Sequence, residues 1–427
     1  MEIISHAQGG VQSMSVVREG EKFVLLELSL ELNTPYTVRS EPLQLVYAEA
    51  LLAGSGTLSR AAFLDALHTL GAHIGVSAGG DSIDIVMRTR TENLQKTLTL
   101  LKTIFNAPRF EEKELKRIKE LLINNLQLAK EDARARAQAN FVNVLVSKDD
   151  YRYSYDIDEI IAQIRTITKK DLLKFHAQLS QIPAHYVVGG NREDCARTER
   201  VVLSILKQNT KAAPVAHEPR PLEHAGRTVK LFDIAHKQNI EFAIGAPLPL
   251  LRSDSDYAAC SFGMNVLALQ GGFSGRLMSI VREKEGLTYS IYGRIESVTK
   301  HQYGYWKIGT FFSPKDAIQG ITSTLRELTR IHEQGITEDE LVRFKAILNT
   351  RFALVEDSLI RKVGEAFMLM GVTMTPQEFE AYKKQVASLT VENVNTALRK
   401  YFNPKELVIS GAGPIASVKA ELLAFGN

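Results

Sequence analysis

The stretch Glu111-Glu-Lys-Glu-Leu-Lys-Arg-Ile-Lys-Glu-Leu-Leu-Ile-Asn-Asn-Leu126 returns in pattern, at an offset of 226, as Thr337-Glu-Asp-Glu-Leu-Val-Arg-Phe-Lys-Ala-Ile-Leu-Asn-Thr-Arg-Phe352. Leu115, Ile118, Leu121, Leu122 and Leu126 are spaced to line one face of an α-helix, and Leu341, Phe344, Ile347, Leu348 and Phe352 repeat that spacing position for position. Both copies open on acidic residues, which suit the positive end of a helix dipole. A repeat that keeps the apolar positions while changing most identities points to two copies of one folding unit.

The repeat extends in both directions. Upstream, Leu94, Leu101 and Ile104 match Ile318, Leu325 and Leu328 at an offset of 224. Downstream, Thr168-Lys-Lys-Asp-Leu-Leu and Val187-Val-Gly-Gly match Thr390-Val-Glu-Asn-Val-Asn and Ile409-Ser-Gly-Ala at an offset of 222. Leu26, Leu28, Leu30 and Leu32 alternate with Glu27, Ser29 and Glu31, the period of a half-buried strand, and Ile240, Phe242 and Ile244 do the same beyond the midpoint. Ser82-Ile-Asp-Ile-Val-Met-Arg and Tyr303-Gly-Tyr-Trp-Lys-Ile-Gly supply a further strand in each half. Between the halves, Lys207 to Arg227 carries Pro214, Pro219 and Pro221 with little apolar periodicity, which reads as an exposed linker. The expected class is α+β, with a domain over 1–206, a linker over 207–227 and a homologous domain over 228–427.

Composition narrows the function classes. The chain has 427 residues, 44% hydrophobic and 24% charged, with 13 Pro and 28 Gly, which excludes disordered and collagen-like classes. Fifty-two basic and 49 acidic residues leave a net charge of +3, too small to imply a nucleic-acid partner. No apolar run reaches the ~20 residues of a membrane span. Cys195 and Cys260 lie far apart in the chain without a CxxC pair, so they read as buried or incidental thiols rather than a zinc site. The amino end has an acidic residue at Glu2 and no apolar core of a secretory signal, which makes the cytoplasm the expected compartment, or the periplasm if a signal has been removed.

Chemistry concentrates between Gly271 and Gly293, in Gly-Gly-Phe-Ser-Gly-Arg-Leu-Met-Ser-Ile-Val-Arg-Glu-Lys-Glu-Gly-Leu-Thr-Tyr-Ser-Ile-Tyr-Gly. A glycine-rich turn feeds a short helix with Arg276 and Arg282, which is expected to break at Gly286 into a strand bearing Tyr289. Taken alone, Arg282 could equally be a solvated partner of the adjacent glutamates and Tyr289 a half-buried strand residue. His68 and His73 straddle a helix end around Gly71 and need not share a face, and His217 and His224 fall in the linker, where nothing rigid would hold a ligand geometry. Gly79-Gly80-Asp81 and Gly271-Gly272 lack the spacing of a phosphate loop, and no GxSxG or Cys/His nucleophile arrangement is present.

The segment around Arg282 and Tyr289 resembles the carboxyl-half signature of the pitrilysin-type (M16) metallopeptidases. Leu70-Gly-Ala, Thr91-Glu-Asn-Leu and Asn106-Ala-Pro-Arg-Phe fall where that family places similar stretches, so the resemblance spans nearly the whole chain. It implies two LuxS/MPP-like metallohydrolase domains in tandem, each an antiparallel-rich sheet packed with helices. It also implies that Arg282 and Tyr289 bind the substrate main chain and help stabilise a tetrahedral intermediate, a task suited to a fixed cation and a phenolic donor in a water-poor chamber.

The same resemblance shows what is missing. Active members carry HxxEH on a helix of the first domain, two imidazoles binding zinc with the glutamate as base, and a second glutamate further on as third ligand. Aligned on Val46-Tyr-Ala-Glu-Ala-Leu-Leu, the histidine positions hold Val46 and Ala50, with Glu49 as a remnant of the base. Without the single insertion this alignment needs, Tyr47, Ala50 and Leu51 occupy the motif, and they bind zinc no better. The third-ligand region offers Asn124 and Asn125.

No cofactor is therefore expected in this chain. The resemblance implies a zinc-free subunit whose M16 partner carries an intact HxxEH and the zinc, with unfolded peptides as substrates held partly by strand addition to a sheet edge. A homodimer of the isolated chain is left open. A non-catalytic assembly, peptide-binding or protein-modification accessory is the alternative, and an independent zinc peptidase with unusual ligands is a third reading. The short Gln270-Gly-Gly-Phe-Ser-Gly loop argues against a mitochondrial presequence-recognition role.

Overall fold

In a computed structural model describing residues 1–32, 36–212, 219–272 and 274–426, the alternation that begins at Val24 builds the middle of a six-stranded sheet. The first half runs β1 (Glu2–Gln8), β2 (Val11–Val17), β3 (Phe23–Glu31), α1 (Ser40–Leu51), β4 (Gly54–Ser55), β5 (Leu58–Ser59), α2 (Arg60–Thr69), β6 (His73–Ala78) and β7 (Ser82–Arg90). It continues through α3 (Leu94–Asn106), α4 (Glu112–Ala129), α5 (Ala133–Leu145), α6 (Ile157–Thr166), α7 (Lys169–Leu179), β8 (Ala184–Gly190) and α8 (Arg192–Ile205). The second half runs β9 (Thr228–Asp233), β10 (Ile240–Leu248), α9 (Tyr257–Ala268), a π-helical turn (Met278–Lys284), β11 (Ile291–Glu296) and β12 (Gly304–Phe312). Then come α10 (Ala317–Gln334), α11 (Glu338–Glu356), α12 (Leu359–Gly371), α13 (Pro376–Ser388), α14 (Val391–Tyr401), β13 (Val408–Gly413) and α15 (Lys419–Leu423). None of these helices is long and apolar enough to cross a membrane.

The two large sheets share one plan. The first is ordered β1-β2-β8-β3-β7-β6, and the second, from its far end, β9-β13-β10-β12-β11. In each, the pair β2–β8 or β9–β13 is parallel and the other neighbours are antiparallel. Pairing is kept as well. Leu26 sits opposite Met87 and Val188, and Ile244, which likewise faces the main core of its half, sits opposite Ile308 and Ile409, both of which follow their counterparts at the same offset of 221. Helix ends repeat too. Thr168 and Thr390 close capping boxes with Asp171 and Asn393, and Thr337 does so with Glu340.

The apolar stripes pack as their spacing dictates, with one exception. Leu115 and Ile118 on α4, and Leu341, Phe344 and Leu348 on α11, are buried in the main cores of their halves, but Leu121 is 41% exposed. It stands at the margin of the stripe, where the helical rotation carries it off the covered face.

The strand expected to be half-buried from Leu26 to Leu32 is covered on both faces along its middle. Leu26, Leu28 and Leu30 face the main core of the first half, while Leu25 is buried on the other side and Ser29 donates to Asp84 Oδ1 at 2.6 Å. The second cover comes from the other half of the chain. Leu359, Val363, Ala366 and Met370 of α12 pack on Met14, Val16, Leu25 and Val187. The reverse holds for α5, whose Phe141, Val142 and Leu145 pack on Ala243, Tyr305 and Val408, and whose Ala133 and Ala137 meet Ile234 and Ala412. Each of these helices directly follows the long helix of its half, α4 or α11, so α5 and α12 occupy equivalent places in the repeat and the exchange is reciprocal. Gly189 on β8 allows the close approach, since a Cβ there would lie 2.3 Å from Val363 Cγ2.

The segment read as an exposed linker from Lys207 is anchored at its start. Asn209 is 1% exposed and its side-chain amide donates to Leu179 O and Ile182 O, and Thr210 O accepts from Gly10 N. Pro214 and His217 lie outside the described residues.

Because each half completes the other's second face, the chain should unfold as one unit. Phe141 is fully buried and meets Tyr305 edge-on at 5.4 Å, so Phe141→Ala should cost about 3–5 kcal/mol. Hydrogen exchange across a urea titration should show amides of both sheets losing protection together. Protection lost only in the second half would show that the halves are independent.

Candidate functional site

Leu277 and Val281 are fully buried and Met278 nearly so, which anchors the turn that carries both arginines. The turn ends because Gly286 takes φ +65°, a backbone state a side chain disfavours, while Glu285 N, Gly286 N and Leu287 N close back on Ile280 O, Arg282 O and Val281 O. The reversal brings residue 289 over residue 282. The Arg282 guanidinium lies 5.0 Å from the centre of the Tyr289 ring, with Nη1 4.0 Å from Met278 Sδ. The Tyr289 side chain stands out from the surface at 76% exposure.

Contrary to the expectation from sequence, Tyr289 precedes the strand rather than lying on it. The strand begins at Ile291, because local side chains take the hydrogen bonds a ladder would use: Ser290 N donates to Thr288 Oγ1, and Ser290 O accepts from Thr310 Oγ1 at 3.1 Å. Phe273, in the glycine turn before the helix, lies outside the described residues.

The two arginines of the segment have different fates. Arg276 is held by Glu340 through Nε–Oε1 and Nη2–Oε2 contacts of 2.6 Å each, and Nη2 also donates to Gly335 O at 2.8 Å. It thus ties the turn to the capping box of α11. Against the desolvation that opposes it, the Arg276 guanidinium holds the Glu340 carboxyl below the usual range. Arg282 instead sets its guanidinium against an exposed ring.

The positions read as a lost metal site are in the other half, on α1 and α4. Val46 and Ala50 are 0% and 2% exposed within the main core of the first half, and Glu49 faces outward. Asn124 and Asn125 lie along α4, away from that core. Tyr47, from the alternative alignment, is fully buried, and its hydroxyl lies 2.7 Å from His176 Nδ1. His176 Nε2 is 2.8 Å from Phe105 O, an acceptor only, so Nε2 carries the proton and Nδ1 accepts from Tyr47. Burial lowers the His176 pKa, which favours that neutral ring. Among the described residues no group of three or more His, Cys, Asp or Glu side chains is arranged to hold a metal ion. Both cysteines are free and buried, and burial pushes the Cys195 thiol up to about 12, far from a reactive thiolate.

Nothing in the sequence singles out Gln44, one turn from the start of α1. Its surroundings depend on separate segments converging, which no local spacing reports.

Comparison with known proteins agrees with this picture. Residues 166–348 match a family model described as the Peptidase M16 inactive domain, a span that includes Arg282 and Tyr289. A solved peptidase M16 inactive domain from Pseudomonas fluorescens superposes with a TM-score of 0.82 at 21% identity, covering 97% of this chain and 98% of that one. The non-peptidase homolog YmxG of Helicobacter pylori is 20% identical over 370 residues, 86% of this chain and 83% of the relative. An uncharacterized zinc protease of Streptomyces coelicolor is 25% identical over 248 residues, and the match spans about half of that relative, 52% of its length.

The two aromatic and cationic positions should separate structure from surface chemistry. Tyr289→Ala removes an exposed cation–π contact and should lower stability by under about 1 kcal/mol. Arg276→Ala leaves a largely buried Glu340 with only its Thr337 capping bonds and should cost about 2 kcal/mol by urea denaturation. Equal losses would contradict the division of roles.

Proposed function

Because residues 166–348 match the Peptidase M16 inactive domain, we propose that this chain acts as the zinc-free member of a two-chain peptidase. In this reading a partner with an intact HxxEH supplies the zinc and the base, and this chain closes the other side of a peptide-binding chamber. The observation that carries the proposal is the pairing of Arg282 with an exposed Tyr289 in a chain whose α1 offers Val46 and Ala50 in place of ligands. A guanidinium and a phenol, both donors, are suited to a peptide carbonyl and to the oxyanion that grows from it. The ring contact fixes the direction of the cation before substrate arrives, which limits the entropy lost on binding.

Peptide binding by strand addition needs an open sheet edge. In the second sheet β11 is last, but Gly293 is already bridged by Leu269. In the first sheet β6 ends the corresponding side, and it is the edge we assign to an extended, unfolded peptide. The chamber is completed in the cytoplasm or the periplasm, wherever the partner resides.

A second reading is favoured by the likeness to a protein described as a non-peptidase homolog. Under it the chain is a peptide-binding or assembly accessory, and Arg282 and Tyr289 hold peptide without turnover.

Co-purification with an HxxEH-bearing M16 chain distinguishes the two. The pair should cleave unfolded peptides faster than the partner alone, and Arg282→Ala should lower kcat/KM about 100-fold while the pair still co-elutes. A co-eluting pair with no turnover supports the accessory role, and an unchanged rate in Arg282→Ala ends the catalytic one.

A further inference from the structure

A cavity of about 170 Å³ opens beside the start of α1, lined by Tyr36, Glu41, Gln44, Tyr151, Arg152 and Tyr153. Its floor bridges the two halves: Gln302 Nε2 donates to the Tyr151 hydroxyl at 3.0 Å, and Arg152 Nη1 donates to Tyr303 O at 2.8 Å.

The polar groups of the wall leave one kind of bond unmade. Arg152 is engaged by Asp150, through Nε–Oδ1 at 2.8 Å and a second contact from Nη2 to Oδ2, besides its bond to Tyr303. Tyr36 donates to Glu41 Oε2 at 3.3 Å. Gln44 is 3% exposed, and its Nε2 donates to Gly80 O at 2.9 Å. That carbonyl fixes the orientation of the amide, because the reversed amide would set two oxygens against each other. Gln44 Oε1 is then buried with no partner among the described residues. A buried acceptor without a donor costs on the order of 1–3 kcal/mol, and its uncompensated partial negative charge lies behind the cavity wall, where it favours a cation.

We propose that this cavity binds an organic monocation, an alkylammonium or guanidinium group. Its N–H donors meet the Glu41 carboxylate beside the unmatched Gln44 Oε1, and its aliphatic stem lies against the tyrosine rings. An anion is poorly served by this wall, since its arginine, Arg152, is already matched by Asp150. The volume corresponds to about five or six waters, the room one long side chain needs. Aromatic faces favour a cation over a neutral donor of the same shape. Burial holds the Glu41 carboxyl above its usual range, a cost that a bound cation relieves. The inference stands apart from the paired-peptidase reading, because it uses neither Arg282 nor a partner chain.

Two sources share this chemistry: a free amine, or a lysine or arginine side chain in a bound peptide. Isothermal titration of the full chain with n-pentylamine and with N-acetyl-lysine N-methylamide distinguishes them, and N-acetyl-norleucine N-methylamide is the uncharged control. Binding of both amines identifies a side-chain site, and binding of n-pentylamine alone identifies a free-amine site. Either supports the proposal if Glu41→Gln and Gln44→Met each weaken affinity about tenfold or more with unchanged circular dichroism. No heat from either amine, equal binding of the norleucine derivative, or unaltered affinity in folded Glu41→Gln would overturn it.

Discussion

The exchange of α5 and α12 across the two sheets is the constraint on which the rest of the molecule depends. Without α12, the first sheet would expose Met14, Val16, Leu25 and Val187 on its second face, and without α5 the second would expose Ala243, Tyr305 and Val408. Full burial of large apolar side chains stabilises by roughly 1.5–3 kcal/mol each. Each half therefore draws part of its core from the other. The arrangement also fixes where Arg282 stands relative to the first sheet, because the elements that hold the π-helical turn belong to the half that α5 covers.

Much of this fold is legible in the sequence, and the limits of that reading have a physical cause. The stripes on α4 and α11, the alternation in β3 and β10, and the Thr168, Thr337 and Thr390 caps are local patterns, and local patterns survive in sequence. The exchange is not local. In β8 the run from Ala184 to Gly190 is buried at every position, and such a run does not say which helix lies on which face. Gly189 is the residue whose missing side chain reports the visitor, and its significance appears only once Val363 is seen above it. Tyr289 reads as a strand residue for a related reason: the Thr288 and Thr310 hydroxyls that replace the ladder are 22 residues apart.

The arginines of the Gly271–Gly293 segment illustrate how sequence chemistry divides in three dimensions. Both are cations in one turn, and spacing alone assigns neither a role. Arg276 pairs with Glu340, the counterpart in the repeat of Glu114, which in the first half pairs with Arg117. In each copy, then, a glutamate in the first turn of the long helix is satisfied by an arginine, a structural use that leaves little for a ligand. Arg282 is directed differently. Its guanidinium lies over a ring that is itself mostly exposed, the arrangement on which the proposed peptide-binding role draws.

The state of α1 decides whether this chain could ever be read as a metal enzyme that has merely lost its ion. Val46 and Ala50 do not line a vacant site; they are packed among Tyr47, Leu51 and the core beneath the sheet. An imidazole placed at either position would enter a close-packed interior, with a polar ring where a methyl or isopropyl group now sits. Tyr47 adds to the commitment, since its hydroxyl is bound to the neutral His176, which is bound in turn to Phe105 O. Restoring two histidines would thus have to reverse packing that three helices share, and Asn124 on α4 would still offer no carboxylate. Apolar burial is the reason this helix lies where it does.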